Sequence, residues 1–282
     1  MNYTFIESEV DLNYLNKELL KKPEVGIDTE FRRRSKDDLK LCLLQIRDEE
    51  EIYLIDCLKI KEANYSHSFL SSKKVTKVFH SFKEDNEAIY SWTGLKISNI
   101  FDTQLANAFL GGSFSISYKN LVNSLLGVEI SKNETRSNWM RRPLSASQLD
   151  YAASDVEFLL DLYLIQREIL LKDNKYNSLK EEIRILASSD HQAQVTPKKI
   201  NHLVKKPPKH QEKVILDRLQ LIVKTLSIRE GINSTLLFSK KNQKEFYYKV
   251  LSFGIERSLD ELAQWKKGLL CEDVYKLFKE II

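Results

Sequence analysis

Asp28 and Glu30 stand one residue apart in the short apolar stretch VGIDTEF, which is typical of a buried strand. Because side chains on a strand alternate between its two faces, both carboxylates lie on one face and Thr29 lies on the other. Two carboxylates that share a face repel each other unless a proton or a cation lies between them. The spacing therefore predicts a metal site or a shared proton.

A helix that carries Tyr151 and Asp155 is predicted in RRPLSASQLDYAASDVEFLLDLY, residues 141–163. Ser145 and Gln148 have the spacing of a capping box, which marks the start of a helix. Tyr151 and Asp155 are four residues apart, so they form a stripe at the edge of the apolar face of this helix. A tyrosine and an aspartate at this spacing are often only a surface pair, so the helical pattern by itself does not show whether Tyr151 and Asp155 have a catalytic role.

Further carboxylates lie in VFHSFKEDNEAIY, which is typical of a strand that ends at His80 and a helix that begins near Ser81. Glu84, Asp85 and Glu87 fall in the first turns of this helix, where the helix dipole favours negative charge. A structural role therefore explains each of these three carboxylates when it is considered alone. A structural role likewise explains His80, because a histidine at the end of a strand more often than not has only such a role.

The elements that position these groups alternate between short apolar segments and helical segments. Three closely spaced strands, typical of an antiparallel meander, are predicted in EVGIDTEF, KLCLLQIRD and EIYLIDCL. KVFH predicts a fourth strand, and ISNIFDTQLANAFLGG predicts a strand and then a helix capped by Asp102. Residues 145–187 have a helical pattern. This order predicts an α/β domain with a mixed sheet covered by helices.

The last third of the chain differs in composition. Residues 188–209 are polar and basic and hold three of the five prolines, which predicts a linker, and residues 210–282 have only the periodicity of a small all-α domain. Residues 196–282 hold 18 Lys and Arg against 10 Asp and Glu, whereas residues 1–195 hold 26 against 30. The basic part either binds a polyanion or is an ordinary lysine-rich surface.

Composition also limits the class of protein. Cys42, Cys57 and Cys271 lack the spacing of a metal or disulfide motif, which is typical of a reduced, cytoplasmic protein. No apolar run approaches the ~20 residues of a membrane span, and MNYTFIESEV lacks the basic start and apolar core of a secretory signal. We expect a cytoplasmic monomer with no membrane partner.

Taken in order, these segments resemble the DEDDy 3′–5′ exonuclease superfamily and, within it, ribonuclease D. The resemblance covers about residues 24–165 and is carried by DTEF, LLQI, YLIDCL, VFHSFKEDNEAI, FDTQLANAFLG and SNWMRRPLSASQLDYAASDVEFLL. It implies a ribonuclease H-like exonuclease domain over residues 1–187 that depends on two divalent ions, Mg²⁺ or Mn²⁺. Matched by position, the implied metal ligands and the catalytic tyrosine are Asp28, Glu30, Asp85, Asp155 and Tyr151.

The C-terminal segments REGINSTLLFSKKNQKEF and LAQWKKGLLCEDVYKLF resemble the helicase-and-RNase-D C-terminal (HRDC) domain. Ribonuclease D proteins often have two such domains, and this chain has room for one. The chain also departs from the family after the first acidic motif, where FRRRSKDDLKL replaces a stretch that usually contains aromatic residues and proline.

The resemblance further implies that the partner is RNA with a free 3′ end, such as a tRNA precursor, shortened by release of nucleoside 5′-monophosphates. Phe31 and His80 adjoin the acidic motifs and are candidates to contact the terminal nucleoside, although Phe31 also suits the core. A basic-aromatic cluster before the Tyr151 helix is a candidate contact for the phosphate backbone; its members are Arg136, Trp139, Arg141 and Arg142. Trp139 can equally pack beneath that helix.

Two alternatives stay open at this point. The first is a DNA-directed 3′–5′ exonuclease on the same scaffold, because recognition of the 2′-hydroxyl distinguishes RNA from DNA and the sequence does not reveal it. The second is a nucleic-acid-binding module without activity. The complete set of four carboxylates and one tyrosine argues against this alternative, because an inactive site would usually lack at least one of them.

Overall fold

The structure is a computed structural model that describes residues 2–35, 38–60, 67–130, 137–189 and 208–279. The chain forms two compact units, one of residues 1–106 and 115–171 and the other of residues 107–114 and 172–282. Most of the predicted linker, residues 188–209, lies outside the described residues. The domain bounds at residues 187 and 210 therefore stay predictions.

A six-stranded mixed sheet forms the centre of the first unit, in the order β1-β4-β3-β2-β5-β6. Its strands are β1 (Thr4–Ile6), β2 (Glu24–Arg33), β3 (Leu39–Arg47), β4 (Ile52–Asp56), β5 (Thr76–Phe79) and β6 (Ile100–Asp102). Strands β2, β3 and β4 pair antiparallel, and the remaining pairings are parallel. The predicted meander and the predicted α/β class are confirmed, whereas β1 was not predicted.

The pairing of β2 with β3 decides which side chains share a face of the sheet. Gln45 lies opposite Asp28, and Leu43 lies opposite Glu30. Side chains directly opposite each other in an antiparallel pair point to the same side. The register shifts between Glu30 and Phe31, so the regular alternation of side chains ends at Glu30.

Helices surround the sheet, and two of them begin at predicted caps. Those with most or all of their residues in the first unit are α1 (Glu9–Leu19), α2 (Ser68–Ser71), α3 (Lys83–Thr93), α4 (Thr103–Phe109), α5 (Tyr118–Leu126), α6 (Ala146–Glu157) and α7 (Leu159–Lys172). Asp102 accepts hydrogen bonds from the backbone N–H groups of Gln104 and Leu105, which confirms the predicted cap of α4. The capping box of Ser145 and Gln148 at the start of α6 is likewise present.

Gly26 lets the junction of α6 and α7 approach the sheet closely. It lies two residues before Asp28 in β2 and therefore on the same face. A Cβ atom at Gly26 would lie 3.0 Å from the Cβ atom of Leu159, the first residue of α7. Because this distance is shorter than ordinary van der Waals contact, the absence of a side chain permits the close packing beside Asp28.

The second unit is helical. Its helices are α8 (Tyr176–Ser189), α9 (Lys209–Glu230), α10 (Ser234–Phe238), α11 (Lys240–Phe253), α12 (Ile255–Asp260) and α13 (Gln264–Lys279). The buried Glu182 of α8 accepts hydrogen bonds from Trp265 Nε1 at 2.9 Å and from Lys266 Nζ at 2.8 Å. Helix α8 is thus joined to α13 within this unit. Among the described helices of either unit, none has both the length and the apolar character needed to cross a bilayer.

Candidate active site

Asp28, Glu30 and Asp155 form an acidic cluster. One carboxylate oxygen from each residue lies within 4.8 Å of those of the other two. Asp28 and Glu30 come from β2, and Asp155 comes from α6, which packs against β2, β3 and β4. All three side chains are half-buried, so the cluster is open to solvent on one side. The structure therefore brings three of the four predicted metal ligands together.

Asp85 adjoins this cluster and has a partner of its own. It lies in the first turn of α3 and is only 7% exposed. The Thr29 hydroxyl donates a hydrogen bond to Asp85 Oδ1 at 2.5 Å. Burial raises the pKa of Asp28, and the negative charge of Asp85 raises it further. The fourth predicted ligand is thus held by Thr29, a residue to which no sequence pattern pointed, and it is not one of the three carboxylates whose oxygens lie within 4.8 Å of one another.

Burial raises the pKa values of all four carboxyl groups. The pKa of Glu30 rises to about 9, and those of Asp85 and Asp155 rise to about 7. The pKa of Asp28 lies well above its usual range, because of burial first and then the charges of Asp85, Asp155 and Glu30. A hydrogen bond from Tyr151 partly offsets the effect of burial on Asp155. Such a set binds either protons or cations, and its oxygen donors are those that Mg²⁺ and Mn²⁺ prefer.

We expect Mg²⁺ or Mn²⁺ to raise the melting temperature more at pH 8 than at pH 5. A carboxyl group whose pKa is raised on folding favours the folded state most at low pH. That contribution is lost as the pH rises from about 4, the usual value in unfolded chains, through folded values of about 7 to about 9. A bound cation replaces the protons and restores stability in this range.

Thermal denaturation with either ion and with EDTA, at both pH values, measures this effect. Glu9→Gln is a matched control, because Glu9 is an exposed carboxylate in the first turn of α1, another helix of the first unit. The control should keep the full pH dependence of the metal effect. Equal metal-induced shifts at pH 5 and pH 8 in the wild type would contradict the proton–metal competition.

Tyr151 lies one turn before Asp155 in α6, and its hydroxyl donates a hydrogen bond to the Asp155 carboxylate. The centre of its ring lies 6.2 Å from that of Trp139. Trp139 is only 6% exposed, so it packs against Tyr151. This contact is the packing alternative predicted for Trp139, and its contact with RNA stays a prediction.

The Arg142 guanidinium connects the loop before α6 to β3 and β4. Nε and Nη2 donate to the buried Asp56 carboxylate at 2.6 and 2.8 Å, and Nη2 also donates to the Cys42 carbonyl. Nη1 donates to the carbonyls of Trp139 and Arg141. These contacts occupy all five N–H groups of the guanidinium. Arg142 therefore positions the loop that leads into α6. Because its five N–H groups are all used in these contacts, none is left in this structure for the predicted contact with phosphate.

The remaining predicted substrate residues lie in different settings. Arg136 lies outside the described residues, and Arg141 is exposed. Phe31 is half-buried, and the Arg33 guanidinium lies 5.7 Å above the centre of its ring. Their contacts with RNA stay predictions.

His80 has protein partners on both ring nitrogens. Nε2 lies 3.0 Å from the Ile116 carbonyl, and Nδ1 lies 2.9 Å from Thr103 Oγ1. Because a carbonyl only accepts, Nε2 carries the proton of the neutral ring, and the one hydrogen of the Thr103 hydroxyl serves two acceptors, Nδ1 and the Phe79 carbonyl. Burial lowers the pKa of His80 and favours this neutral form. These contacts give His80 a structural role at the end of β5.

Tyr118 lies near the acidic cluster, although the sequence did not point to it. Its hydroxyl accepts a hydrogen bond of 2.9 Å from the backbone N–H of Phe158, at the junction of α6 and α7. Burial raises the pKa of Tyr118 well above its usual value, and the charges of Asp155 and Asp28 raise it further. Tyr118 therefore fixes the end of the helix that carries Asp155.

Comparisons with known proteins identify the family and the fold of this chain. A family model described as 3′–5′ exonuclease matches residues 3–170. Ribonuclease D of Bartonella henselae is 34% identical over 207 residues, which are 72% of this chain and 51% of that protein. The chain spans about half the length of the curated relatives it matches.

Two solved structures share the fold. The first is Escherichia coli RNase D, an exoribonuclease involved in structured RNA processing, with a TM-score of 0.66 and 23% identity over 99% of this chain and 75% of that chain. The second is Brucella melitensis NrnC with bound Mg²⁺, with a TM-score of 0.59 and 23% identity over 70% of this chain and 99% of that chain.

Proposed function

Because this chain belongs to the 3′–5′ exonuclease family, we propose that it is a metal-dependent 3′–5′ exoribonuclease of ribonuclease D type. The observation that carries this proposal is the cluster of Asp28, Glu30 and Asp155, with Asp85 beside it and Tyr151 one turn away. The enzyme hydrolyses the last phosphodiester bond of RNA and releases a nucleoside 5′-monophosphate. The curated relatives named ribonuclease D support this choice of substrate.

Two divalent ions, Mg²⁺ or Mn²⁺, fit the acidic residues. Burial raises the pKa values of all four carboxylates, and the charges of other carboxylates in the set raise those of Asp28 and Glu30 further. Such a set requires compensating positive charge, and all the donors are oxygens. The ligands that we assign to these ions are Asp28, Glu30, Asp85 and Asp155. When bound, such ions neutralise charge on the phosphate and lower the pKa of a water molecule. The Mg²⁺-bound relative NrnC supports the choice of ion.

Tyr151 orients the attacking water rather than removing its proton. The reference pKa of a phenol is about 10, so the hydroxyl is poorly matched to act as a base at neutral pH. Its hydrogen bond to Asp155 holds the hydroxyl at the edge of the acidic cluster. From there, the oxygen can accept a hydrogen bond from a water molecule next to the scissile phosphate.

We further propose that tRNA precursors are among the substrates, and that the protein acts as a monomer in the cytoplasm. The likeness in fold to an exoribonuclease involved in structured RNA processing supports the first part. Cys42, Cys57 and Cys271 are all unpaired, which suits a reducing compartment.

Degradation of matched RNA and DNA oligonucleotides tests the activity. With Mg²⁺ or Mn²⁺, a 3′-labelled RNA should release its label first, and a 5′-labelled RNA should give a ladder of shortened products. EDTA should stop both reactions. Degradation of DNA alone would favour a DNA-directed exonuclease, and binding without degradation of either polymer would favour an inactive nucleic-acid-binding module.

We also propose that residues 210–282 form an HRDC-like domain that holds RNA while residues 1–187 cut it, with residues 188–209 as the linker. The basic balance of residues 196–282 and the HRDC-like segments support this division. Substitutions test it better than truncation, because removing α13 would leave the buried Glu182 of α8 without its Trp265 and Lys266 partners.

We expect the double variant Lys224→Glu and Lys240→Glu to weaken binding of a tRNA-sized RNA. Both lysines are exposed in the helical unit, and each phosphate that the variant no longer binds should lower the slope of log affinity against log salt by about 1. The rate on a short single-stranded RNA at saturating concentration should not change. Titration at two ionic strengths measures the affinity and the slope.

The matched control is Lys73→Glu with Lys74→Glu, which reverses two exposed charges in the first unit. The control should bind RNA more tightly than the helical-unit variant. If the wild type and the helical-unit variant have equal affinities and equal salt slopes, Lys224 and Lys240 do not bind RNA.

A further inference from the structure

Gln45 is a buried amide with no hydrogen-bond partner among the described residues. Its side chain lies in the middle of β3 and is 0% exposed. Within the part of the chain that the structure describes, neither Nε2 nor Oε1 has a partner. Buried polar groups are nearly always hydrogen-bonded, and leaving both ends of an amide unpaired disfavours folding. The side chain is therefore available to a partner other than the described residues.

The position of Gln45 indicates what that partner is. Gln45 lies directly opposite Asp28 in the antiparallel pairing of β2 and β3, so both side chains point to the same face. The Cβ atoms of such pairs are about 4.5–5.5 Å apart. Helix α6, which carries Asp155, packs against both strands. Gln45 thus lies under the same helix as the acidic cluster, one strand away from Asp28.

The chemistry of a hydrated divalent ion matches an unpaired amide. Mg²⁺ usually keeps several water molecules when it binds to carboxylates. A water molecule on a cation is a strong hydrogen-bond donor, and the Oε1 atom of Gln45 is an acceptor. Residues that hydrogen-bond to the ligands of a metal ion orient those ligands and affect the affinity for the ion.

We infer that Gln45 is a positioning residue for the metal site, whose Oε1 accepts a hydrogen bond from a water molecule that hydrates the ion held by Asp28. This inference rests on the proposed function and adds to it a residue that is not itself a metal ligand. A purely structural role would instead require a protein partner for the amide, and among the described residues there is none.

Gln45→Met tests this inference on the full chain, because methionine has nearly the length of glutamine and forms no comparable hydrogen bond. We expect the Mn²⁺ dissociation constant, measured by calorimetric titration, to rise about tenfold. The melting temperature in EDTA should stay the same or rise, because an unpaired buried amide has been removed. Unchanged Mn²⁺ affinity with a lower melting temperature, or a variant that does not fold, would assign Gln45 to the core and overturn the inference.

A second variant and a control complete the test. Gln45→Glu keeps an acceptor oxygen and adds negative charge, so at pH 8 it should bind Mn²⁺ at least as tightly as the wild type; weaker binding would contradict the inference. Gln166→Met removes another fully buried amide, whose Nε2 donates to the Thr103 carbonyl at 2.9 Å. This control should lower the melting temperature and leave Mn²⁺ affinity unchanged.

The wild-type titration separates this inference from the proposed function. If the wild type binds no Mn²⁺, the metal site and the proposed exonuclease activity are wrong as well. If the wild type binds Mn²⁺ and Gln45→Met binds it equally well, the inference alone is wrong.

Discussion

Asp28→Asn should lower exonuclease activity by about 10³-fold or more and preserve the fold. The substitution keeps the shape of the side chain and removes one carboxylate from the cluster that Asp28 forms with Glu30 and Asp155. A preorganised charged group in a reaction site commonly contributes about 10²–10³-fold to the rate, and in the proposed site this one also holds the ion. Activity on a labelled RNA with Mg²⁺ and with Mn²⁺ measures the loss.

The same variant should be at least as stable as the wild type in EDTA, because it removes the buried carboxylate whose pKa is raised by burial and by repulsion from Asp85, Asp155 and Glu30. Asp161→Asn, at an exposed carboxylate in the first turn of α7, is the control and should keep full activity. An Asp28→Asn variant that cleaves RNA at close to the wild-type rate would exclude Asp28 as a metal ligand.

Tyr151→Phe should lower the rate of cleavage by about 10²-fold, the size of effect expected for a positioned acid–base group. The ring and its packing against Trp139 remain, and only the hydroxyl is removed. Because this hydroxyl lowers the pKa of Asp155, its removal should shift the pH dependence of metal binding upward. At pH 8 the affinity for Mn²⁺ should hardly change.

Single-turnover kinetics at saturating enzyme isolate this effect from RNA binding. Tyr14→Phe removes a hydroxyl from an exposed tyrosine of α1 and should behave as the wild type. If Tyr151→Phe keeps the wild-type single-turnover rate, the role of Tyr151 is to pack against Trp139.

Local rules predicted the two parts of the acidic cluster separately, and the resemblance to ribonuclease D implied that these parts meet in one site. The two-residue period of a strand places Asp28 and Glu30 on one face, and one helical turn aligns Tyr151 with Asp155. The capping box at Ser145 fixes where that helix begins. Each of these rules requires only residues that are close together in the sequence.

The contacts that complete the site join distant segments and leave no local pattern. Thr29 and Asp85 are 56 positions apart, and the Tyr118 hydroxyl binds a backbone group 40 positions away. The position of Gln45 beside Asp28 depends on the register of two strands, which the apolar pattern does not determine to the residue. The strand β1 has three residues, too few to establish a two-residue period.

The Arg142 contacts also have a consequence for the synthesis of the protein. Asp56 and Arg142 are 86 positions apart, and a ribosome that adds about 5–20 residues per second takes roughly 4–17 s to cover that stretch. During this interval β2, β3 and β4 have been made, but α6 has not, so the apolar face of the nascent sheet is uncovered. Such a face is a binding site for chaperones and a starting point for aggregation. Slow translation between residues 57 and 141 would therefore lower the yield of folded protein.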